Sequence, residues 1–173
     1  MQPLLIAAGH SNTDPGACAN GQQEATLALE LRDMVAAYLR QAGRDVTEDG
    51  ADGVNLPLTE AIRLAKGRFA VEIHFNAASP SAGGVECIAP VARRYQAQKL
   101  AQATASALKI KPRGDAGYTS EAQSQHKRLG FVRAGGLILE VCFITNATEM
   151  AWYLAQKHAL ARTVASTLDS LTR

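Results

Sequence analysis

"PLLIAAGHSNTDPGACANGQQEATLALELRDMVAAYLRQAG", residues 3–43, carries two different periodicities joined by a polar loop. Residues 3–8 are a continuous apolar run, the pattern of a strand covered on both faces. From 23 to 43, Leu27, Leu31, Met34, Val35, Tyr38 and Leu39 recur at helical spacing, and Gly43 supplies a stop signal. Gly, Asn, Asp, Pro and Ser fill the space between. A buried strand that feeds an amphipathic helix through a loop is the opening unit of an α/β domain.

The same alternation continues along the chain. "RDVTED" (44–49) reads as a short strand, and "PLTEAIRLAKG" (57–67) as a helix with Pro57 in its first turn. "RFAVEIHFNA" (68–77) is a strand with Phe69, Val71, Ile73 and Phe75 on an apolar face and Glu72 and His74 on a polar one. "GGVECIAP" (83–90) is a further strand, 92–110 a helix, "GGLILEVCFIT" (135–145) the most apolar strand, and 147–172 a closing helix. Residues 111–130 are polar and glycine-containing, and read as a mobile loop or flap. The expectation is one domain over 1–173: a three-layer αβα fold in which helices flank a mixed, mostly parallel sheet of about six strands.

Composition limits the class of protein. A chain of 173 residues, 47% hydrophobic and 20% charged, buries a real core. No apolar run approaches the roughly 20 residues that cross a bilayer, and the first residues lack the pattern of a Sec signal. Synthesis in the cytoplasm, without membrane insertion, is therefore expected. Cys18, Cys87 and Cys142 are odd in number and lack a Cys-x-x-Cys spacing, which excludes a disulfide framework and a cysteine zinc knuckle. A formal charge of +2 with no Lys/Arg cluster argues against nucleic acid as partner. A monomer is expected.

Ligands of open α/β sheets gather at the carboxyl ends of the strands. His10 follows the first strand, His74 lies near the end of "AVEIHF", and Glu140 interrupts "LILEVCF". Glu24 falls in the first turn of the long helix, where it can face back across the loop. Two histidines and a carboxylate suit a catalytic zinc, with a second carboxylate as proton carrier. Plainer readings stand beside this one. His10 is satisfied within its loop, Glu24 complements a helix dipole, and His74 is half-exposed and inert. Glu140 is harder to explain away, because a carboxylate inside an apolar strand is costly unless paired or shifted in pKa. Spacing alone leaves these alternatives open.

"AGHSNTDPGACANGQQE", "EIHFNA" and "LILEVCFITN" together resemble the zinc-dependent N-acetylmuramoyl-L-alanine amidases of the Amidase-3 type. The motifs run in family order from residue 5 to about 150. The resemblance implies His10, Glu24 and His74 as the ligands of one zinc ion and Glu140 as the catalytic carboxylate. It also implies hydrolysis of the amide between N-acetylmuramic acid and L-alanine in peptidoglycan. The chain departs from the pattern at Glu72, where the family has a small residue. Glu72 is either an outer partner that orients His74 or an exposed edge residue. Cys142 stands where glycine is common, on the face of Glu140 by period-two counting, and reads as a buried, inert thiol. Glu86 matches a family glutamate and is a candidate for positioning substrate. Asn76 and Asn146 either bond substrate or hold loops.

A catalytic domain with no leader resembles a phage or prophage endolysin, which meets the wall after release through a pore. The 111–130 loop is basic enough to face an anionic stem peptide, and its His126 is not expected to be a ligand. Two rival readings remain: a zinc peptidase or carboxypeptidase cutting within the stem peptide, and a wall-binding module with a vestigial site.

Overall fold

The computed structural model describes residues 1–51, 53–125 and 129–173, so His126 lies outside the described residues. The opening apolar run becomes β1 (Leu4–Ala8), with every residue buried. The polar loop after it holds a small hairpin of β2 (Cys18–Ala19) and β3 (Gln22–Gln23), which leads directly into α1 (Glu24–Gln41). This helix stops in a Schellman arrangement. The Gly43 N–H donates to the Arg40 carbonyl and the Arg44 N–H to that of Leu39, each at 2.9 Å. Next come β4 (Val46–Glu48), α2 (Leu58–Ala65), β5 (Phe69–Asn76) and β6 (Glu86–Ile88). A 3₁₀ turn (Val91–Arg93) runs into α3 (Arg94–Leu108), followed by β7 (Tyr118–Thr119), α4 (Gly130–Arg133), β8 (Leu137–Phe143) and α5 (Ala147–Thr172).

The main sheet has six strands in the order β4-β1-β5-β8-β6-β7. The first four are mutually parallel, β6 runs antiparallel to β8, and β7 pairs parallel with β6. This is the mixed, mostly parallel sheet that the sequence predicts. Helices α1, α3 and α5 cover one face, where Phe69, Val71, Ile73 and Phe75 of β5 pack with Leu31, Val35, Leu100, Tyr153 and Leu160. The opposite face is thinner. There Leu5, Ala7, Ala70 and Ile138 meet Ala61 and Ala65 of α2 and Phe131 and Val132 of α4.

The second face of β5 is therefore not the solvated polar face expected from its alternation. β5 lies between β1 and β8, α2 and α4 close over it, and Glu72 is only 3% exposed. The segment 111–130 also differs from a simple flap. It supplies the edge strand β7 and is tied to α3 by Gln98, which donates to Asp115, and by Gln102, which donates to the Ala116 carbonyl. β8 carries a bulge. Between His74 and Asn76 β5 advances two residues, while between their partners Glu140 and Phe143 β8 advances three. The extra residue turns Cys142 away from the face of Glu140 and into the helical layer, with its Sγ 3.9 Å from Met150 Sδ. Period-two counting fails there for that reason.

Candidate metal centre

β1 ends where the chain must turn out of the sheet. The Gly9 N–H donates to the Ile73 carbonyl at 2.8 Å, and the Gly9 carbonyl accepts from Asn55 Nδ2 at 2.9 Å. Held in this way, His10 takes a φ of +66°, in the left-handed region that a residue with a Cβ enters only at a cost. Its ring then sits between two carboxylates, with Nε2 2.9 Å from Glu24 Oε2 and Nδ1 3.0 Å from Asp14 Oδ2.

Glu24 is the first residue of α1, delivered by the β2–β3 hairpin, and is buried. Its Oε2 accepts from the Ala17 N–H and its Oε1 from the Phe75 N–H, each at 3.1 Å. Oε1 also lies 3.0 Å from Nδ1 of His74, whose Nε2 is 3.1 Å from Glu72 Oε2. The two imidazoles are edge-to-face with centroids 5.2 Å apart. Among the described residues, His10, Glu24 and His74 are the group whose potential ligand atoms all lie within 4.8 Å of one another. The rings fit because glycines face them. A Cβ on Gly9 would meet the His74 ring at 2.4 Å, and one on Gly16 the His10 ring at 2.6 Å.

The charges follow this geometry. Burial alone would raise the Glu24 carboxyl, but hydrogen bonds with His10 and His74 and their charges hold it well below the usual range. The bond to Glu24 raises His10. Burial opposes charge on His74, yet Glu24 and Glu72 together carry it well above an ordinary histidine. Glu140 lies beside His74 on β8, opposite Glu86 of β6. Burial first, then the negative charges of Glu24 and Glu86, push it up to about 7 against the opposing pull of the histidines. Among the described residues its Oε2 has no hydrogen-bond partner. All four residues line one cleft of about 660 Å³, whose apolar wall includes Leu58, Ile88, Phe131 and Ile138.

The other sequence candidates divide. Glu72 is a buried neighbour of His74, so the exposed-edge alternative is excluded. Glu86 accepts from Asn76 Nδ2 at 2.7 Å and Thr119 Oγ1 at 2.8 Å, and it borders a second, smaller pocket with Arg113 and Glu140. Asn146 holds loops. It caps α5 by accepting from the Thr148 and Glu149 N–H groups and donates to the Ala82 carbonyl.

Sequence reasoning missed the support beneath His10. Asp49 accepts from the Ala8 N–H and, at 2.8 Å, from Nη1 of Arg32, a guanidinium wholly buried on α1. The signal was present, since Arg32 falls on the apolar stripe between Leu31 and Val35. Glu149 was missed as well. It is buried and accepts from the Gly84 and Phe143 N–H groups, which ties α5 to the bulged end of β8.

A family model described as N-acetylmuramoyl-L-alanine amidase matches residues 4–172. A Neisseria meningitidis structure assigned as an N-acetylmuramoyl-L-alanine amidase is 35% identical, covers 98% of this chain and 95% of its own, and superposes with a TM-score of 0.91. The catalytic domain of CwlV, an N-acetylmuramoyl-L-alanine amidase from Bacillus (Paenibacillus) polymyxa var. colistinus, is 23% identical, covers 99% and 98% of the two chains and has a TM-score of 0.83. The Staphylococcus aureus (strain NCTC 8325 / PS 47) protein named "Probable autolysin PH" is 26% identical over 178 residues, which cover 86% of this chain. The match spans 34%, about a third, of that curated relative.

Proposed function

The chain belongs to the N-acetylmuramoyl-L-alanine amidase family, and on that premise we propose that it is a monozinc hydrolase of the muramoyl–alanine amide of peptidoglycan. His10 Nε2, the Glu24 carboxylate and His74 Nδ1 would hold the ion. The supporting observation is their convergence within 4.8 Å at one end of a cleft that also holds Glu140, a half-buried residue whose buried Oε2 has no partner among the described residues. Two imidazoles and one carboxylate, with space beside them, form the donor set of an open catalytic zinc site, so the residues fit the metal. When bound, zinc polarises the scissile carbonyl and acidifies water.

The remaining chemistry falls to this chain's own side chains. At about 7, Glu140 can take a proton from the attacking water on Oε2 and return it to the departing amine of alanine. Its apolar neighbours in the cleft, Ile88 and Ile138 among them, limit competing solvent. Glu24 stays ionised across the working range, since its carboxyl is held low. The cleft's apolar wall offers contact to the substrate's methyl groups and sugar face. The lytic, endolysin-type role and the single-domain reading of 1–173 belong to this proposal as well. The second draws support from a family match over 4–172, while the first rests on the resemblance in the sequence.

Digestion of purified sacculi tests the reaction. The expected products are intact stem peptides with a free N-terminal alanine, identified by mass spectrometry, from protein carrying about one zinc per chain. Cuts within the stem would instead establish a peptidase, and no release with retained wall binding would establish a non-catalytic module. Clearing of permeabilised cells by added protein, followed by turbidity, tests the lytic role.

A further inference from the structure

We infer that Glu72 is a positioning residue for the metal centre, fixing Nδ1 of His74 as the atom presented to the ion. The inference rests on the zinc reading above and adds what selects the ligating atom of His74. Glu72 lies on the central strand between Ala7 of β1 and Ile138 of β8, and is 3% exposed. Among the described residues its side chain hydrogen-bonds His74 Nε2, at 3.1 Å. An ionised carboxylate in such surroundings is expensive unless a partner compensates it, and His74 is that partner.

The geometry around the two histidines is reciprocal. His10 directs Nε2 toward Glu24 and Nδ1 toward Asp14, whereas His74 directs Nδ1 toward Glu24 and Nε2 toward Glu72. A neutral imidazole carries one proton, and the atom without it is the one that can ligate. A carboxylate only accepts, so Glu72 keeps the proton of His74 on Nε2 and leaves the Nδ1 lone pair for the metal. Without it, Glu24 would draw that proton onto Nδ1 and block ligation. Asp14 stands in the same relation to His10, but its side chain is 62% exposed against 4% for Glu72, so water can replace it. The two histidines therefore ligate through opposite nitrogens, and the interior one depends on its carboxylate.

Wild type, Glu72→Gln and Glu72→Ala are prepared metal-free and titrated with Zn²⁺ against a chromophoric chelator. Thermal melts of the metal-free forms check folding, and Glu72→Gln preserves the packing if Glu72→Ala does not fold. The expected result is zinc affinity weakened about 10- to 100-fold in both variants. Asp14→Asn should lose less. In the zinc-loaded wild type, long-range ¹⁵N–¹H spectra should show His74 protonated on Nε2 and ligated through Nδ1, a signature that a merely structural role would not set. Affinity within about twofold of wild type in Glu72→Gln, or ligation of His74 through Nε2, would overturn the assignment. A wild type that takes up no zinc would overturn the metal centre itself, and this assignment with it. Because wild type is titrated first, the two failures are distinguishable.

Discussion

Glu140 shows most directly how one side chain is held at the expense of comfort, which on the proposed reading serves its chemistry. It sits in a strand of leucine, isoleucine and valine, Oε2 lacks a partner among the described residues, and Glu24 and Glu86 both repel its charge. Glu140→Gln should therefore bind zinc as wild type does, lose about 10²–10⁴-fold in kcat, and melt at a higher temperature because a repelled buried charge is gone. Zinc analysis, kinetics on sacculi and a thermal melt check the three parts. Glu86 tunes the same group. Its charge raises the Glu140 value, so Glu86→Gln lowers it, and the acid limb of the kcat–pH profile should move to lower pH. At this scale the sequence was informative. Glu140 stood out because a carboxylate within an apolar run conflicts with burial, whereas for His10, Glu24 and His74 the plainer readings stayed open and only the family resemblance gathered the four. Glu72 stayed ambiguous since period-two alternation cannot tell an edge strand from a central one, and Arg32, though on the apolar stripe, was passed over in a helix that otherwise scanned as ordinary.

Among the elements, β8 and α5 depend on one another. Asn146 caps α5 and reaches the Ala82 carbonyl at 3.0 Å, while Glu149, one turn on, receives N–H groups from Gly84 and Phe143. Asn146→Ala removes the cap and the cross-link together. It should cost about 1–2 kcal/mol of stability, read from denaturant unfolding, with zinc affinity unchanged. The main strands and helices were legible because their apolar periodicities are long. Short pieces were not. The two-residue strands β2, β3 and β7 and the four-residue α4 carry too few residues to show a period, and their places are fixed by contacts with the sheet. The bulge in β8 likewise has no local mark in "LEVCF", because the partner strand decides it.

For the molecule as a whole, the chain ends are fastened by charge. Asp169 near the end of α5 bonds Arg173 and, at 2.8 Å, Arg44 beyond α1, and both guanidiniums hold its carboxyl below the usual range. A lowered folded value means stability that is present above the unfolded carboxyl pKa and lost as pH falls through the folded one. Asp169→Asn should therefore melt earlier than wild type at pH 7, by about 0.5–1 kcal/mol, since its Arg173 partner is open to water and Asp169 itself is partly exposed. The two melting curves should converge in acid below pH 4. Fold class was readable at this scale because strand–helix alternation with short connections permits few topologies. The antiparallel turn of β6 was not readable, since direction within a sheet leaves no trace in one strand's composition.

His10 follows β1 and His74 lies on the neighbouring strand β5, yet the whole crossover through α1, β4 and α2 lies between them. They meet only after that crossover has docked, so an ion held there, on the proposed reading, would act as a late-fastening buckle. Its grip is absent while the chain is climbing to the folding barrier and present when the native state tries to escape it. Stopped-flow traces should then show zinc slowing unfolding in denaturant, with refolding nearly unaltered. Chelator should return the faster unfolding of the metal-free protein.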